Sequence, residues 1–173
     1  MKRMITFAIL GLTFLLSTAY ISQNWVVKEN AYGVTFKGDK MSGTFTGLKA
    51  KIDFDQANLA GSKISASIDA ASVDTDNWLK NRHARAGLGA DDYPTIKFES
   101  TTIVKKGSGY EATGNLTLKD VTKQITLPFT FTPDNGGGTF AGKFTITTKD
   151  FHVTKSGTPD VVEITLKVPV TKG

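Results

Sequence analysis

The chain carries few groups able to do chemistry. It has 173 residues, no cysteine, and only two histidines, His83 and His152. Hydrolytic catalysis needs a nucleophile beside a base, a pair of carboxylates, or a metal. No second histidine stands two positions from either one, so the paired histidines of a strand-borne metal site are absent. His83 sits in a basic run, Asn81-Arg82-His83-Ala84-Arg85. It is either a solvated or capping side chain, or a donor near a pocket mouth, where Arg82 and Arg85 would help meet an anionic or polar head group. His152, beside Asp150 and Phe151, reads as a structural or surface residue. Asp74 and Asp76 read as turn and N-cap residues rather than a catalytic pair. Gly136-Gly137-Gly138 has no following helix or lysine motif, so it reads as a hairpin tip and not a phosphate loop. No catalytic residue, cofactor or metal ligand is expected, and the chain is not expected to be an enzyme.

The elements around these groups read as strands. Tyr32, Val34 and Phe36 alternate with polar residues, as do Leu48, Ala50, Ile52 and Phe54, and then Ile64, Ala66 and Ile68. The same period of two recurs in Ile96 and Phe98, in Tyr110 to Leu118, in Ile125 to Phe131, in Phe140 to Ile146, and in Val162 to Val170. Such alternation marks half-buried strands. Turn residues separate them: Gly38-Asp39, residues 55–58, residues 106–109, Pro133 through Gly138, and residues 156–159. Close spacing favours a meander, because a parallel crossover needs a dozen or more residues. Only the segment 74–93 is long enough for one. It is also the one stretch with helical character, and it holds Trp78 and Leu79, either packed over a barrel opening or filling ordinary core. About eight antiparallel strands with one apolar face each predict a closed barrel or a sandwich in a single domain.

The first residues read as a targeting segment. Lys2 and Arg3 precede an apolar run from Ile5 to Leu16, followed by Ser17-Thr18-Ala19. That is the pattern of a signal peptide, residues 1–19, with a mature domain over 20–173. The apolar run is shorter than the ~20 residues of a membrane span, so removal is favoured over an uncleaved anchor and no stable membrane insertion is expected afterwards. Without cysteine, neither a disulfide nor cysteine acylation is available. The formal charge of +5 falls to +3 once Lys2 and Arg3 are gone. The remaining lysines are scattered along solvated strand faces rather than clustered with stacking aromatics, which argues against nucleic acid as a partner.

The inward faces are rich in Phe, Ile and Leu, with Ala50, Ala66, Ala112 and Gly114 interspersed. Small residues leave space, but other side chains can fill it. Periodicity does not distinguish a packed barrel from a hollow one.

Motifs along nearly the whole mature chain resemble the YceI-like proteins, lipocalin-like β-barrels associated with polyisoprenoid binding. They are Gly43-Thr44-Phe45-Thr46-Gly47-Leu48, Ile68-Asp69-Ala70-Ala71-Ser72-Val73-Asp74-Thr75, Asn81-Arg82-His83, Tyr93-Pro94-Thr95-Ile96-Lys97-Phe98-Glu99-Ser100-Thr101, and Gly114 through Lys123. Each is weak alone, but their order and spacing are specific. Asp120 stands where glycine is usual, Asp150-Phe151-His152 replaces a D-F-G, and the stretch after His83 is shorter and less aromatic than in the family. The lid and mouth are therefore expected to differ from relatives.

The resemblance implies an all-β, eight-stranded antiparallel lipocalin-like barrel with one short helical lid segment. It also implies that the barrel is hollow and holds a long-chain isoprenoid or similar lipid, in a protein that is periplasmic or secreted, with a homodimer as one expected assembly. Phe36, Ile52, Phe54, Ile68, Phe98, Leu116, Phe129, Phe131, Phe144 and Ile146 would form the apolar sleeve. Trp78 and Leu79 would cover it, and Arg82, His83 and Arg85 would meet the polar end. The competing expectations are a ligand-free envelope stress or interaction module with a filled barrel and, less favoured, an enzyme of lipid metabolism.

Overall fold

The alternating segments form the walls of a closed barrel in a computed structural model that describes residues 23–173. The expected signal peptide lies outside the described residues. Ten strands follow one another: β1 (Asn24–Val27), β2 (Gly33–Lys37), β3 (Ser42–Phe45), β4 (Lys49–Asp53), β5 (Lys63–Asp69), β6 (Thr95–Lys106), β7 (Gly109–Leu118), β8 (Val121–Asp134), β9 (Gly137–Thr147) and β10 (Val161–Lys172). They make eight staves. β10 pairs with β2 through Glu163–Lys167 and with β1 through Val170–Lys172, so β1 and β2 lie end to end along it. β3 and β4 likewise share one stave, pairing with β2 and β1 respectively.

Positive backbone angles mark the two breaks, at Asn30 (φ 61°) and Gly47 (φ 71°). The Tyr32 hydroxyl joins them by accepting from the Leu48 amide at 3.0 Å. All pairings are antiparallel, and β1 on β10 closes the ring. Closure decides between the barrel and the sandwich.

Register explains one departure from simple alternation. The β6–β7 ladder shifts between Ser100 and Thr102. A bulge of this kind exchanges inward and outward parity. Phe98 before it and Ile103 after it are both buried, while Val104 is turned out and 44% exposed.

The turn expected over 133–138 is tighter than its composition suggested. Pro133 and Asp134 belong to β8, and Gly137 and Gly138 already belong to β9, leaving Asn135-Gly136 at the tip. Gly137 and Gly138 are needed for close approach. A Cβ on Gly138 would stand 2.5 Å from the Phe131 ring, and one on Gly137 would strike the Val170 carbonyl oxygen. Gly138→Ala is expected to cost about 1–3 kcal/mol through overpacking, read as a lower denaturation midpoint. Gly33→Ala, where a Cβ meets nothing within 4 Å, is the control expected to stay near wild type.

The helical segment expected over 74–93 contains one helix, α1 (Trp78–Leu88). Its N-cap is Asn77, whose side chain accepts from the amides of Leu79 (3.1 Å) and Lys80 (3.0 Å). The expectation that Asp74 or Asp76 would cap it is corrected. Asp74 lies earlier and bridges Thr44 of β3 through its backbone, and Asp76 takes a left-handed turn (φ 57°). Gly89, left-handed at φ 63°, ends the helix, as an αL cap requires.

Candidate ligand-binding cavity

The two ends of the barrel are built differently. At the end carrying the β4–β5, β6–β7 and β8–β9 connections, six aromatic residues form a plug. Phe54, 1% exposed, lies at its centre. Its ring stands 5.0 Å from Tyr110, 5.6 Å from Phe129, 5.5 Å from Phe131 and 5.3 Å from Phe140, edge to face in every case. Such T-shaped pairs are favoured by the ring quadrupole. Trp25 completes the plug against Phe131 at 4.8 Å, and its indole N–H donates to the Phe54 carbonyl at 2.8 Å.

Above the plug the barrel is hollow. A cavity of about 570 Å³ runs toward the opposite end. Leu48, Ala50, Ile64, Ala66, Ile125, Leu127, Ile146, Ile164 and Leu166 line it, yet these inward residues are only half-buried because no side chain fills the centre. Gly114, expected to leave space, does not: the Phe98 ring lies 2.7 Å from where its Cβ would be. The room comes from Ala50 and Ala66, opposite each other across β4 and β5.

The mouth is framed by the β2–β3 turn (Lys40, Met41), one face of α1, and the loop Ser156–Pro159. Thr148 fastens that loop by donating to the Pro159 carbonyl at 2.6 Å, and the buried Phe151 and Val153 anchor its base. His152 takes the surface position expected for it, held at φ 55° with its carbonyl accepting from Lys119 Nζ at 2.9 Å. Gly87 brings the helix down onto the loop: a Cβ there would sit 3.8 Å from Val153 and 3.9 Å from Thr158.

The expected ligand contacts divide along these lines. Phe36, Ile52, Ile68, Leu79, His83, Phe98, Leu116, Phe129, Phe144 and Ile146 line the cavity. Phe54 and Phe131 stand behind it in the plug. Trp78, Arg82 and Arg85 point away from it into solvent. Helical period accounts for the last three. Leu79, Lys80, His83, Ala84, Gly87 and Leu88 fall on one face of an 11-residue helix, and Trp78, Arg82 and Arg85 fall on the other at about 100° per residue. Applied to 78–88, that period picks Lys80 over the two arginines. Lys40, Met41 and the loop 156–159 carried no local signal, because only barrel closure brings them to the mouth. Trp25 escaped the alternation because its strand has four residues. The cavity's lining residues include no carboxylate; Lys40, Lys80 and His83 stand at the mouth, and Lys97 is the other lysine of the lining.

A polar latch holds the start of the lid. Asn81 Nδ2 donates to Asp74 Oδ1 at 2.9 Å, and Asn81 Oδ1 accepts from the Thr75 amide at 2.7 Å. The Asn81 bond, followed by the Asp76 amide, lowers the Asp74 carboxyl below its ordinary 3.8. A group depressed in the folded state stabilises it above the unfolded value and loses that contribution as pH falls through the folded value. The latch is therefore expected to be complete at neutral pH and to loosen only below 3.8. Amide protection over 78–88, taken relative to the intrinsic exchange rate at each pH, should fall in that acid range, whereas Asp74→Ala should already show low protection at neutral pH and lose the acid step.

Relatives share this architecture. The YceI-like domain profile matches residues 25–170. Protein YceI of Salmonella newport is 31% identical over 183 aligned positions, covering 98% of this chain and 96% of the relative. The crystal structure of Burkholderia cenocepacia BcnA superposes with a TM-score of 0.79 at 27% identity, over 84% of this chain and all of that one. A polyisoprenoid binding domain from Saccharophagus degradans shares the fold, with a TM-score of 0.67 at 13% identity, over 87% of this chain and 99% of its own.

Proposed function

The chain belongs to the YceI-like domain family, and from that premise we propose that it is an exported carrier that holds a long-chain isoprenoid or similar amphiphile inside its barrel. The observation that supports this most directly is the apolar cavity of about 570 Å³ with one plugged end and one mouth. A chain threaded into it gains about 2.5 kcal/mol for each 100 Å² of apolar surface removed from water, before association costs. Lys40, Lys80 and His83 at the mouth suit an anionic or polar head left near solvent. The lining is almost wholly apolar and carries no carboxylate to act with His83 or the lysines at its rim, which supports binding over turnover. The basic, apolar and small-residue pattern of residues 1–19 supports export, and the polyisoprenoid-binding relative supports the cargo class.

A ligand-free module with a filled barrel fits the hollow interior poorly. The test is native mass spectrometry of the protein purified from its own host, followed by organic extraction. A bound adduct extracting as a prenyl or other long-chain lipid is expected. An apo mass unchanged by incubation with isoprenoids and fatty acids would overturn the carrier reading.

A further inference from the structure

The lid helix opens with two apolar side chains in water. Trp78 is 74% exposed and Leu79 46% exposed. Leu79 also lines the cavity, so apolar surface continues from the outside of the lid into the barrel. Every ionisable residue of the helix is basic: Lys80, Arg82, His83 and Arg85, all exposed. Among the described residues, the ion pairs formed involve none of the four. Asp76, Asp91 and Asp92 lie beyond the helix ends, and Asp74 is taken up by Asn81, with Arg85 nearby. Lys40 adds a cation across the mouth.

We propose that the lid docks on an anionic phospholipid membrane through the first turn of its helix, where the outward side (Trp78, Arg82, Arg85) meets the cavity side (Leu79, Lys80, His83). Trp78 and Leu79 enter the interface, where tryptophan is favoured, and the basic side chains meet the headgroups. The mouth is then pressed to the bilayer, and cargo passes between membrane and cavity without crossing water. The purpose rests on the carrier reading; the docking itself is measured apart from it.

The test uses residues 20–173, whose strands close the barrel within 24–172, in co-sedimentation with phosphatidylglycerol or phosphatidylcholine vesicles. The protein is expected to partition onto phosphatidylglycerol at low salt, release as salt rises, and bind phosphatidylcholine weakly. Tryptophan emission should shift to the blue on binding, reporting Trp78, because Trp25 is already buried at 6% exposure. Trp78→Ser with Leu79→Ser should lower partitioning by about tenfold or more. Lys80→Ala and Arg82→Ala should each lower it about fivefold. These variants change exposed side chains, and circular dichroism checks that they fold.

Absence of partitioning at low salt, or partitioning indifferent to the lid variants, would overturn the proposal. So would burial of Trp78 that rises with protein concentration without vesicles, which would assign the face to a second copy. A protein that takes isoprenoid from detergent yet ignores vesicles refutes docking alone. One that binds vesicles through the lid but takes no lipid refutes carriage alone.

Discussion

Replacing Phe54 with alanine is expected to lower stability by about 3–5 kcal/mol, the range for truncating a buried phenylalanine. For a domain of this size that corresponds to a fall of about 10 °C in thermal midpoint. The effect is large because the ring is 1% exposed and makes edge contacts with four other aromatic rings at once. No neighbour can move in to fill the gap, since each is fixed in a strand. Chemical denaturation measures the loss directly. A change below about 1 kcal/mol would show that the plug does not hold this end of the barrel together. Phe144→Ala, on the half-buried wall of the cavity, should cost distinctly less, because part of its surface already faces empty space.

The second expected result concerns the cavity. Ala66 lines it beside Ala50, its partner across the β4–β5 ladder, and Phe98, its partner on β6. Ala66→Trp sends an indole into the hollow and is expected to weaken isoprenoid binding by about tenfold to a hundredfold, ~1.4–2.8 kcal/mol. Stability should hold or rise, because the new side chain fills a void rather than displacing packed neighbours. Loss of binding without loss of stability separates a filled site from a damaged fold. Ser65→Trp, one residue away on the outer face, should leave binding unchanged. Equal affinity in Ala66→Trp and wild type would place the cargo outside the barrel.

Much of this architecture was legible from residue order. Alternation in Leu48–Phe54, Tyr110–Leu118 and Val162–Val170 marked which side chains turn inward, because a strand's period of two is local. The helical segment was legible too, but its cap was not. Asn77, Asp76 and Asp74 are all good capping residues, and the choice among them depends on Asp74 being held by Thr44 and Asn81. Arg82 and Arg85 were grouped with His83 by adjacency in the chain. The helix separates them, since neighbours in sequence stand about 100° apart around its axis.

The chain by itself determined the strand faces, the single helix and the family to which they belong, because hydrophobic period, turn chemistry and motif spacing are carried by near neighbours. Only the tertiary structure decided that the barrel closes and that aromatics crowd one end while the other stays hollow. It alone brought Lys40, Lys80 and the loop 156–159 together at the mouth. The physical reason is that packing is a property of pairs distant in sequence: Phe54 meets Phe140, and Ala50 faces Ala66, only after the ladder sets its register.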